Sequence, residues 1–308
     1  MNLKSYINPQ SQERHYLINF GGLYVEESAT KEFKEALYKA GADLIGIANI
    51  ERFDELPLNK HPKSIFPETR SVVVLGRRIT RGTLRGVEEG TQFNTYNLYG
   101  YSWLEDRFLA YVTYEAVVFL EDNGWEAVPL PGLPSEIPPM GIPVRAGSPP
   151  PNVFLNLEDA AVRAGLGEIG YCGVLLTPKF GPLQRVHAIL TDAQLKPDPI
   201  STSTICDECK ICSKYCPLGA FIGEREISIC GKRMTVAEID YSKCNICKNG
   251  AVPNRHYKSA KPDRIAALCV RSCLDHLERA GRIKSRFNEP FRKREPWALD
   301  ELGRRVNI

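Results

Sequence analysis

Four cysteines in the second half of the chain stand at a spacing that suits metal binding. They form the run C-x2-C-x2-C-x3-C, followed directly by Pro217, and are Cys206, Cys209, Cys212 and Cys216. Three thiolates on so tight a loop reach three corners of one iron–sulfur cube, and the fourth points to a second cube. A zinc site would more commonly use two close pairs of ligands. The run therefore predicts a [4Fe–4S] cluster.

A second cysteine set repeats this pattern with an insertion between its second and third members. Its members are Cys244, Cys247, Cys269 and Cys273. Alone, the set also fits a zinc ribbon, but together with the first run the eight thiols divide into two groups of four. In two-cluster ferredoxins the fourth cysteine of such a run ligates the other cluster. The two sets therefore favour a second [4Fe–4S] cluster.

The cross-ligation rule assigns four cysteines to each cluster. Cluster I takes Cys206, Cys209, Cys212 and Cys273. Cluster II takes Cys216, Cys244, Cys247 and Cys269. The two remaining cysteines, Cys172 and Cys230, are not assigned to metal, because an isolated free cysteine usually behaves as a small buried hydrophobe.

The bulk composition limits the kind of protein that carries these cysteines. The 308 residues include 40 basic and 37 acidic side chains, a formal net charge of +3. This balance does not point to a nucleic acid or a membrane as partner. No apolar run approaches the roughly 20 residues of a membrane span, and the first residues resemble neither a signal peptide nor a twin-arginine signal. We therefore expect a soluble, cytoplasmic and anaerobic redox protein whose clustered cysteines bind metal.

Hydrophobic periodicity predicts the elements that position the cysteines. Residues 30–40 are typical of an amphipathic helix that ends at Gly41. The patterns after Gly41 predict a strand at 43–50, a strand at 71–76, a helix at 103–121 and a strand at 125–130. Farther along, we expect a helix at 156–164 capped by Asn156, followed by strands at 172–178 and 185–192. A linker at 195–204 and a helix from Pro262 to Ala280 complete the prediction.

A proline-rich stretch interrupts this series of elements. Residues 129–151 contain nine prolines, so they cannot form a helix or a central strand. The stretch predicts a long ordered loop, either the wall of a cavity or a surface excursion.

A glycine motif comes after the helix predicted at 156–164. Residues 165–170 read GLGEIG and match the dinucleotide pattern G-x-G-x-x-G. The context is wrong for a Rossmann site, because a helix precedes the motif and a strand comes after it. The glycines indicate either a tight turn or a wall against a large planar cofactor. On the second interpretation, the cofactor-binding residues are Gly165, Leu166, Gly167, Glu168 and Gly170.

The segment AGLGEIGYCGVLLTPKFGPLQRVHAILTD (164–192), with the cysteine run after it, resembles the shared core of epoxyqueuosine reductases and respiratory reductive dehalogenases. The resemblance extends over about residues 30–280 and is sharpest over 164–217. It implies an α+β fold, a nitroreductase-like cobalamin-binding domain followed by a bacterial-type 2[4Fe–4S] ferredoxin domain. The cobalamin would receive no histidine ligand from the protein. The domain boundaries expected are 1–198, 199–281 and a basic C-terminal tail at 282–308, which we interpret as a strap over the body.

The chain departs from the epoxyqueuosine reductases in two places. Those enzymes resemble one another in having a catalytic aspartate, and at the corresponding position this chain has Pro151. The nearest acidic residues after it, Glu158 and Asp159, fall in the first turn of a predicted helix. Tyr171 replaces the lysine that tends to follow their third glycine. Apart from these two positions, the tRNA-binding C-terminal domain of the longer members is expected to have no counterpart here. In the dehalogenases a tyrosine near a basic residue is thought to supply the proton. The resemblance thus implies Tyr171 and Arg185 as candidate catalytic residues, with Tyr96, Tyr99 and Tyr101 as alternatives.

The leading hypothesis is an enzyme, a cobalamin-dependent iron–sulfur oxidoreductase that cleaves a carbon–oxygen or carbon–halogen bond in a small organic substrate. Electrons would enter from an external ferredoxin or flavodoxin and pass through two [4Fe–4S] clusters to cobalt. An alternative is an electron-transfer partner, or an activator of a corrinoid protein, that binds no cobalamin itself. A second alternative is an epoxyqueuosine (tRNA) reductase, although the missing aspartate predicts poor turnover of that substrate.

Overall fold

A computed structural model describes residues 27–308 of the chain. The first 26 residues of the predicted first domain, and the comparison with signal peptides, lie outside the described residues. The longer helices are α1 (Glu27–Ala40), α3 (Ala110–Asp122), α4 (Leu157–Arg163) and α7 (Leu268–Arg279), and the short ones are α2 (Arg85–Glu88), α5 (Ile211–Lys214) and α6 (Tyr241–Asn245). The strands are β1 (Leu44–Asn49), β2 (Ser71–Arg78), β3 (Ala127–Leu130), β4 (Glu168–Ile169), β5 (Leu175–Leu176), β6 (Gln184–Thr191), β7 (Phe221–Ile229) and β8 (Lys232–Ile239).

Four antiparallel strands form the main sheet, in the order β1-β2-β6-β3. Strand β2 is central and apolar, and its side chains alternate between two cores as a period of two requires. Val73 and Leu75 pack with α1 and α3, whereas Val72 and Val74 pack in the core that includes α4. The strands predicted at 43–50, 71–76, 125–130 and 185–192 are therefore confirmed, as is the mixed α/β character of the chain.

The helix predicted at 103–121 is a regular α-helix only from Ala110 onward. Two π-helical segments, Tyr96–Ser102 and Leu104–Leu109, precede α3. A side chain at Gly100 would collide with the Tyr96 ring, so this glycine lets the widened turn close around a buried tyrosine. Segments of π-helix are frequent at functional sites, where they change the direction of side chains.

Helix α4 begins as predicted, and the hairpin after it excludes a Rossmann turn. The Asn156 side-chain oxygen accepts a hydrogen bond from the Asp159 amide at 3.0 Å. The glycine motif leads into the short hairpin β4–β5, in which Glu168 pairs with Leu176. The strand predicted at 172–178 is mostly turn, because only Leu175 and Leu176 are extended in the ladder.

Two features of the cysteine region differ from the sequence-based prediction, one between the two cysteine sets and one within the second set. The hairpin β7–β8 was not predicted, although Cys230 and Gly231, with φ of 49° and 80°, form the two-residue turn that a glycine between apolar runs indicates. Helix α7 begins at Leu268, so the predicted helical start at Pro262 is wrong. The residues before it instead form a bridge in which Asp263 pairs with Val252.

The C-terminal residues 282–308 form a strap that is anchored to the body. Phe291 and Ala298 are buried, and the Trp297 indole donates a hydrogen bond to the Val87 carbonyl at 2.9 Å. The Arg292 guanidinium donates to Glu88 at 2.6 Å. The tail is therefore a packed part of the fold and less solvated than the sequence suggested. Within residues 27–308, no helix combines the length and the apolarity needed to cross a membrane.

The buried His187 makes the stability of the chain sensitive to acid. Its ring nitrogen lies 3.1 Å from the Thr113 hydroxyl, and burial lowers its pKa from 6.5 to about 4, with Asp106 opposing this shift. As the pH falls from 6.5 to 4 the unfolded chain binds this proton before the folded chain does, so the free energy of unfolding decreases, by an amount on the order of 3 kcal/mol.

The variant His187→Gln should lose this part of the pH dependence. Comparing wild type and variant by denaturant unfolding from pH 7 to pH 4 isolates the histidine, because acid affects both proteins equally elsewhere. Parallel stability curves in this window would contradict the assignment.

Candidate functional site

Four cysteines from the two sequence motifs surround one small cavity. They are Cys216, Cys244, Cys247 and Cys269, the same four that the cross-ligation pattern assigns to cluster II. Cys244 lies on α6, whose start is capped by the Asp240 carboxylate, and Cys269 lies in the first turn of α7. A donor set made only of thiols is the set that [4Fe–4S] clusters use.

Burial controls the protonation of two of these thiols. It raises the pKa of Cys244 to about 11 and that of Cys269 to about 12, while the neighbouring Arg264 guanidinium opposes the shift in both. Cys244 and Cys269 therefore keep their protons at neutral pH until a metal displaces them.

The cluster I cysteines converge less completely. The thiols of Cys206, Cys212 and Cys273 lie close enough to interact with one another, and the thiol of Cys172 interacts with both Cys212 and Cys273. Sequence reasoning did not place Cys172 here. The sequence signal that could have found it is its position two residues after the glycine motif.

The remaining cluster I cysteine, Cys209, lies beside two partly exposed polar side chains. The ligand atoms of Cys209, Asp207 and His276 lie within 4.8 Å of one another. The His276 ring nitrogen is 2.8 Å from the Asp207 carboxylate.

A cleft that opens to solvent, with a cavity volume of about 220 Å³, lies between the main sheet and the second cysteine set. Residues 132–136 of the proline-rich loop form one wall, which supports the interpretation of this loop as a cavity wall. The start of α4, the start of β6 and residues 261–265 form the others. Among the described residues, no histidine lines the cleft.

Arg185 organises the polar side of the cleft. Its guanidinium donates to the Gly100 carbonyl at 3.0 Å and to the Tyr96 hydroxyl at 2.8 Å, and lies 2.9 Å from the Asp263 carboxylate. Burial alone would lower the pKa of Arg185, but Asp263, Tyr96 and Glu105 outweigh it and raise the pKa. Because Arg185 is on β6 and Asp263 lies within the second cysteine set, between Cys247 and Cys269, this ion pair joins the sheet to the cysteine region.

Two of the alternative tyrosines lie beside Arg185. Tyr96 is fully buried behind the cleft and donates a hydrogen bond to Asp263. The Tyr101 ring lines the cleft between two guanidiniums, 4.5 Å from that of Arg185 and 4.9 Å from that of Arg255. Burial raises the pKa of both tyrosines. Tyr99 is exposed and packs edge-on against Trp103.

Two carboxyl groups in the cleft hold protons more readily than usual. Burial raises the pKa of Glu105 despite the neighbouring Arg185 and Arg255. Burial also raises the pKa of Glu158, which accepts a hydrogen bond from the Leu175 amide at 3.2 Å. Glu158 is therefore more than an acid in the first turn of a helix, because its side chain also lines the cleft.

The structure does not bring Tyr171 to Arg185. The Tyr171 hydroxyl donates to Glu224 at 3.2 Å, and its amide donates to the Cys206 thiol at 3.4 Å. Tyr171 thus lies beside the cluster I cysteines, and the predicted catalytic pair is separated.

The glycine motif also lies away from the cleft. A side chain at Gly165 would collide with the Pro199 carbonyl, and one at Gly167 with the Leu176 carbonyl. These glycines permit close packing of chain against chain, so we correct their interpretation as a cofactor wall. Of this region, Gly173, Val174 and Leu175 line the cleft instead.

Arg264 lies where the cleft and the cluster II cavity approach each other. It lines both, is buried, and donates a hydrogen bond to the Cys172 carbonyl at 2.8 Å. Burial alone would lower its pKa, but Cys269, Tyr241 and Cys172 outweigh burial and raise it. Sequence reasoning missed Arg264, because it placed this residue inside a helix.

Comparisons with known proteins agree with the resemblance predicted from the sequence. No family model matches the chain. A tetrachloroethene reductive dehalogenase of Desulfitobacterium hafniense is 33% identical over 121 residues, which cover 38% of this chain and 18% of the dehalogenase. An epoxyqueuosine reductase of Staphylococcus aureus is 24% identical over 235 residues, which cover 68% of this chain and 56% of that protein. The chain thus spans under a fifth of the dehalogenase's length.

Solved structures show a shared fold. The catabolic reductive dehalogenase NpRdhA in complex with 3-bromo-4-hydroxybenzoic acid has a TM-score of 0.55 at 18% identity and covers 82% of this chain and 32% of that chain. Another structure of NpRdhA has a TM-score of 0.51 at 20% identity and covers 73% of this chain and 30% of that chain. The predicted kinship with reductive dehalogenases and epoxyqueuosine reductases is confirmed. Because one relative is an epoxyqueuosine reductase, the expectation that excludes nucleic acid is not supported.

Proposed function

We propose that the chain is an oxidoreductase that binds cobalamin in the cleft and two [4Fe–4S] clusters at its eight motif cysteines. It would reduce a small organic substrate by cleaving a carbon–halogen or carbon–oxygen bond. The observation that carries this proposal is Arg264, which lines the cleft and the cluster II cavity together. A single side chain thus lies between a buried thiol set and the open cleft. The relatives are reductases.

The cleft suits cobalamin in its openness and in the chemistry of its walls. Its cavity volume is about 220 Å³ and it opens to solvent, so a corrinoid would occupy the cleft with one part and extend out of it with the rest. Because no histidine of the described residues lines it, a corrinoid there would have no imidazole ligand from these walls. Cobalamin would supply a strongly reducing cobalt centre. Residues 27–198 would form a nitroreductase-like domain that holds it, and residues 199–281 a ferredoxin-like domain.

The residues around the cleft would bind the substrate and supply a proton. Arg185 lines the cleft beside the Tyr101 ring, and its charge is balanced by Asp263 and Glu105, so a polarised, uncharged substrate group would bind there. Tyr101 keeps its proton at neutral pH because burial raises its pKa. We assign it as the proton donor to the carbon from which the leaving group departs.

Glu158 favours epoxyqueuosine reduction as a second candidate function. The expected aspartate is replaced by Pro151, but Glu158 lines the cleft with a raised pKa. An acid in this position would protonate the oxygen released from an epoxide. This finding weakens the sequence-based expectation of poor turnover.

Anaerobic assays of the reconstituted chain test these functions. With a strong reductant we expect turnover of tetrachloroethene or 3-bromo-4-hydroxybenzoic acid only after cobalamin is added. Turnover confined to tRNA carrying epoxyqueuosine, and lost in Glu158→Gln, would favour the second function. Reduction of a separate corrinoid protein without any cobalamin uptake would contradict both and favour an electron-transfer partner.

A further inference from the structure

Glu168 holds the chain directly in front of the first cysteine run. One oxygen of its carboxylate accepts hydrogen bonds from the amides of Ile205 and Cys206, each at 2.7 Å. The side chain is only 5% exposed. Two backbone amides that share one buried carboxylate oxygen fix the position from which the Cys206 thiol projects.

Lys232 completes this arrangement from the end of the β7–β8 hairpin. Its ammonium lies 3.1 Å from the other oxygen of Glu168 and is 13% exposed. It also donates to the carbonyls of Ser201 at 2.9 Å and Ser203 at 2.6 Å. The hairpin is therefore attached to the segment 201–206 through one charged pair.

We propose that Glu168 and Lys232 are positioning residues for cluster I and that their paired charges set its reduction potential. This inference rests on the proposed function, because it requires that cluster I forms. Glu168 orients the backbone of Cys206, and Lys232 neutralises the carboxylate that does so. Neither side chain ligates the cluster.

The sign of the electrostatic effect separates this role from a merely structural one. Reduction adds a negative charge to the cluster, so a nearby unpaired positive charge makes reduction easier and an unpaired negative charge makes it harder. Glu168→Gln retains an oxygen that can accept both amide hydrogen bonds and leaves Lys232 unpaired. Lys232→Met retains the length of the side chain and leaves Glu168 unpaired. The two variants should therefore shift the potential in opposite directions.

Redox titration of the full chain, followed by electron paramagnetic resonance, tests this inference. We expect Glu168→Gln to raise the midpoint potential of cluster I, Lys232→Met to lower it, and the double variant to return it toward wild type. The cluster II potential should remain unchanged in all three. Lys34→Met is the matched control, since Lys34 pairs with Asp198 at 2.6 Å and that carboxylate binds the β1 amide of Ile47.

Three results would overturn the inference, and one of them also concerns the proposed function. Equal potentials in wild type, Glu168→Gln and Lys232→Met would exclude the electrostatic role. Shifts of the same sign in both variants, or loss of cluster I in both, would indicate only a structural role. A wild-type protein that lacks cluster I would contradict the proposed function itself, and iron analysis before titration distinguishes this case.

Discussion

Replacing Cys273 by serine is expected to lower the iron content from about eight to about four atoms per chain and to remove cluster I. The reason is spatial, because Cys273 lies one turn beyond Cys269 on α7 but its thiol interacts with those of Cys206 and Cys212. Sequence proximity alone would assign Cys273 to the cluster of Cys244. The structure places it with a cysteine 67 positions earlier in the chain.

Cys269→Ser is the matched variant, since it changes the same helix one turn earlier and should remove cluster II instead. Cys230→Ser, at the β7–β8 turn, should leave about eight irons per chain. Iron analysis and electron paramagnetic resonance of the reduced proteins distinguish these outcomes. If Cys273→Ser and Cys269→Ser remove the same signal, the cross-ligation is wrong. Four irons with one zinc in the wild type would mean that one cysteine set binds zinc.

Replacing Tyr101 by phenylalanine is expected to reduce turnover by roughly 10²- to 10⁴-fold, the usual contribution of general acid catalysis. The variant keeps the ring between Arg185 and Arg255, so binding of substrate and cofactor should change little. The loss should therefore appear in kcat more than in KM. Tyr99→Phe is the matched control, because that tyrosine is exposed and should leave the rate unchanged.

The pH dependence of turnover separates Tyr101 from the two carboxylic acids. Burial raises the pKa of Tyr101 above 10, so a rate that depends on its proton stays constant through neutral pH and falls only in strong base. Burial raises the pKa of Glu105 and Glu158 from 4.5, so a rate that depends on either proton falls as the pH rises through that raised value. A Tyr101→Phe rate within a factor of a few of wild type would exclude Tyr101 as the donor.

The elements were predictable from the sequence where local patterns decide them. The continuous apolar run of β2 and the Asn156 cap of α4 are each encoded by neighbouring residues, and both are observed. The start of α7 was misplaced because Pro262 suits a first helical turn. In the structure, the two residues after Pro262 make contacts with distant parts of the chain instead of continuing a helix. Asp263 binds Arg185, and Arg264 binds the Cys172 carbonyl.

The composition of the cleft was less predictable than the cysteine sets. A metal motif keeps its ligands close together in sequence, so spacing reveals the chemistry of residues 206–216 directly. The partners of Arg185 come from a π-helical segment 89 positions earlier, at Tyr96, and from Asp263 78 positions later. No local pattern encodes such contacts. The glycine motif misled for a related reason, since glycine permits close approach to a ligand and to another part of the chain equally well.

Anaerobic uptake of cobalamin by the purified chain tests the proposed function most directly. We predict one cobalamin per chain after gel filtration, with a Co(II) spectrum that lacks nitrogen hyperfine structure from a protein imidazole. Gly132→Trp, which fills the cleft near Glu105, should abolish uptake and leave the iron content unchanged, whereas Gly82→Trp, at an open position, should not. A chain that carries both clusters and takes up no cobalamin would contradict the proposal.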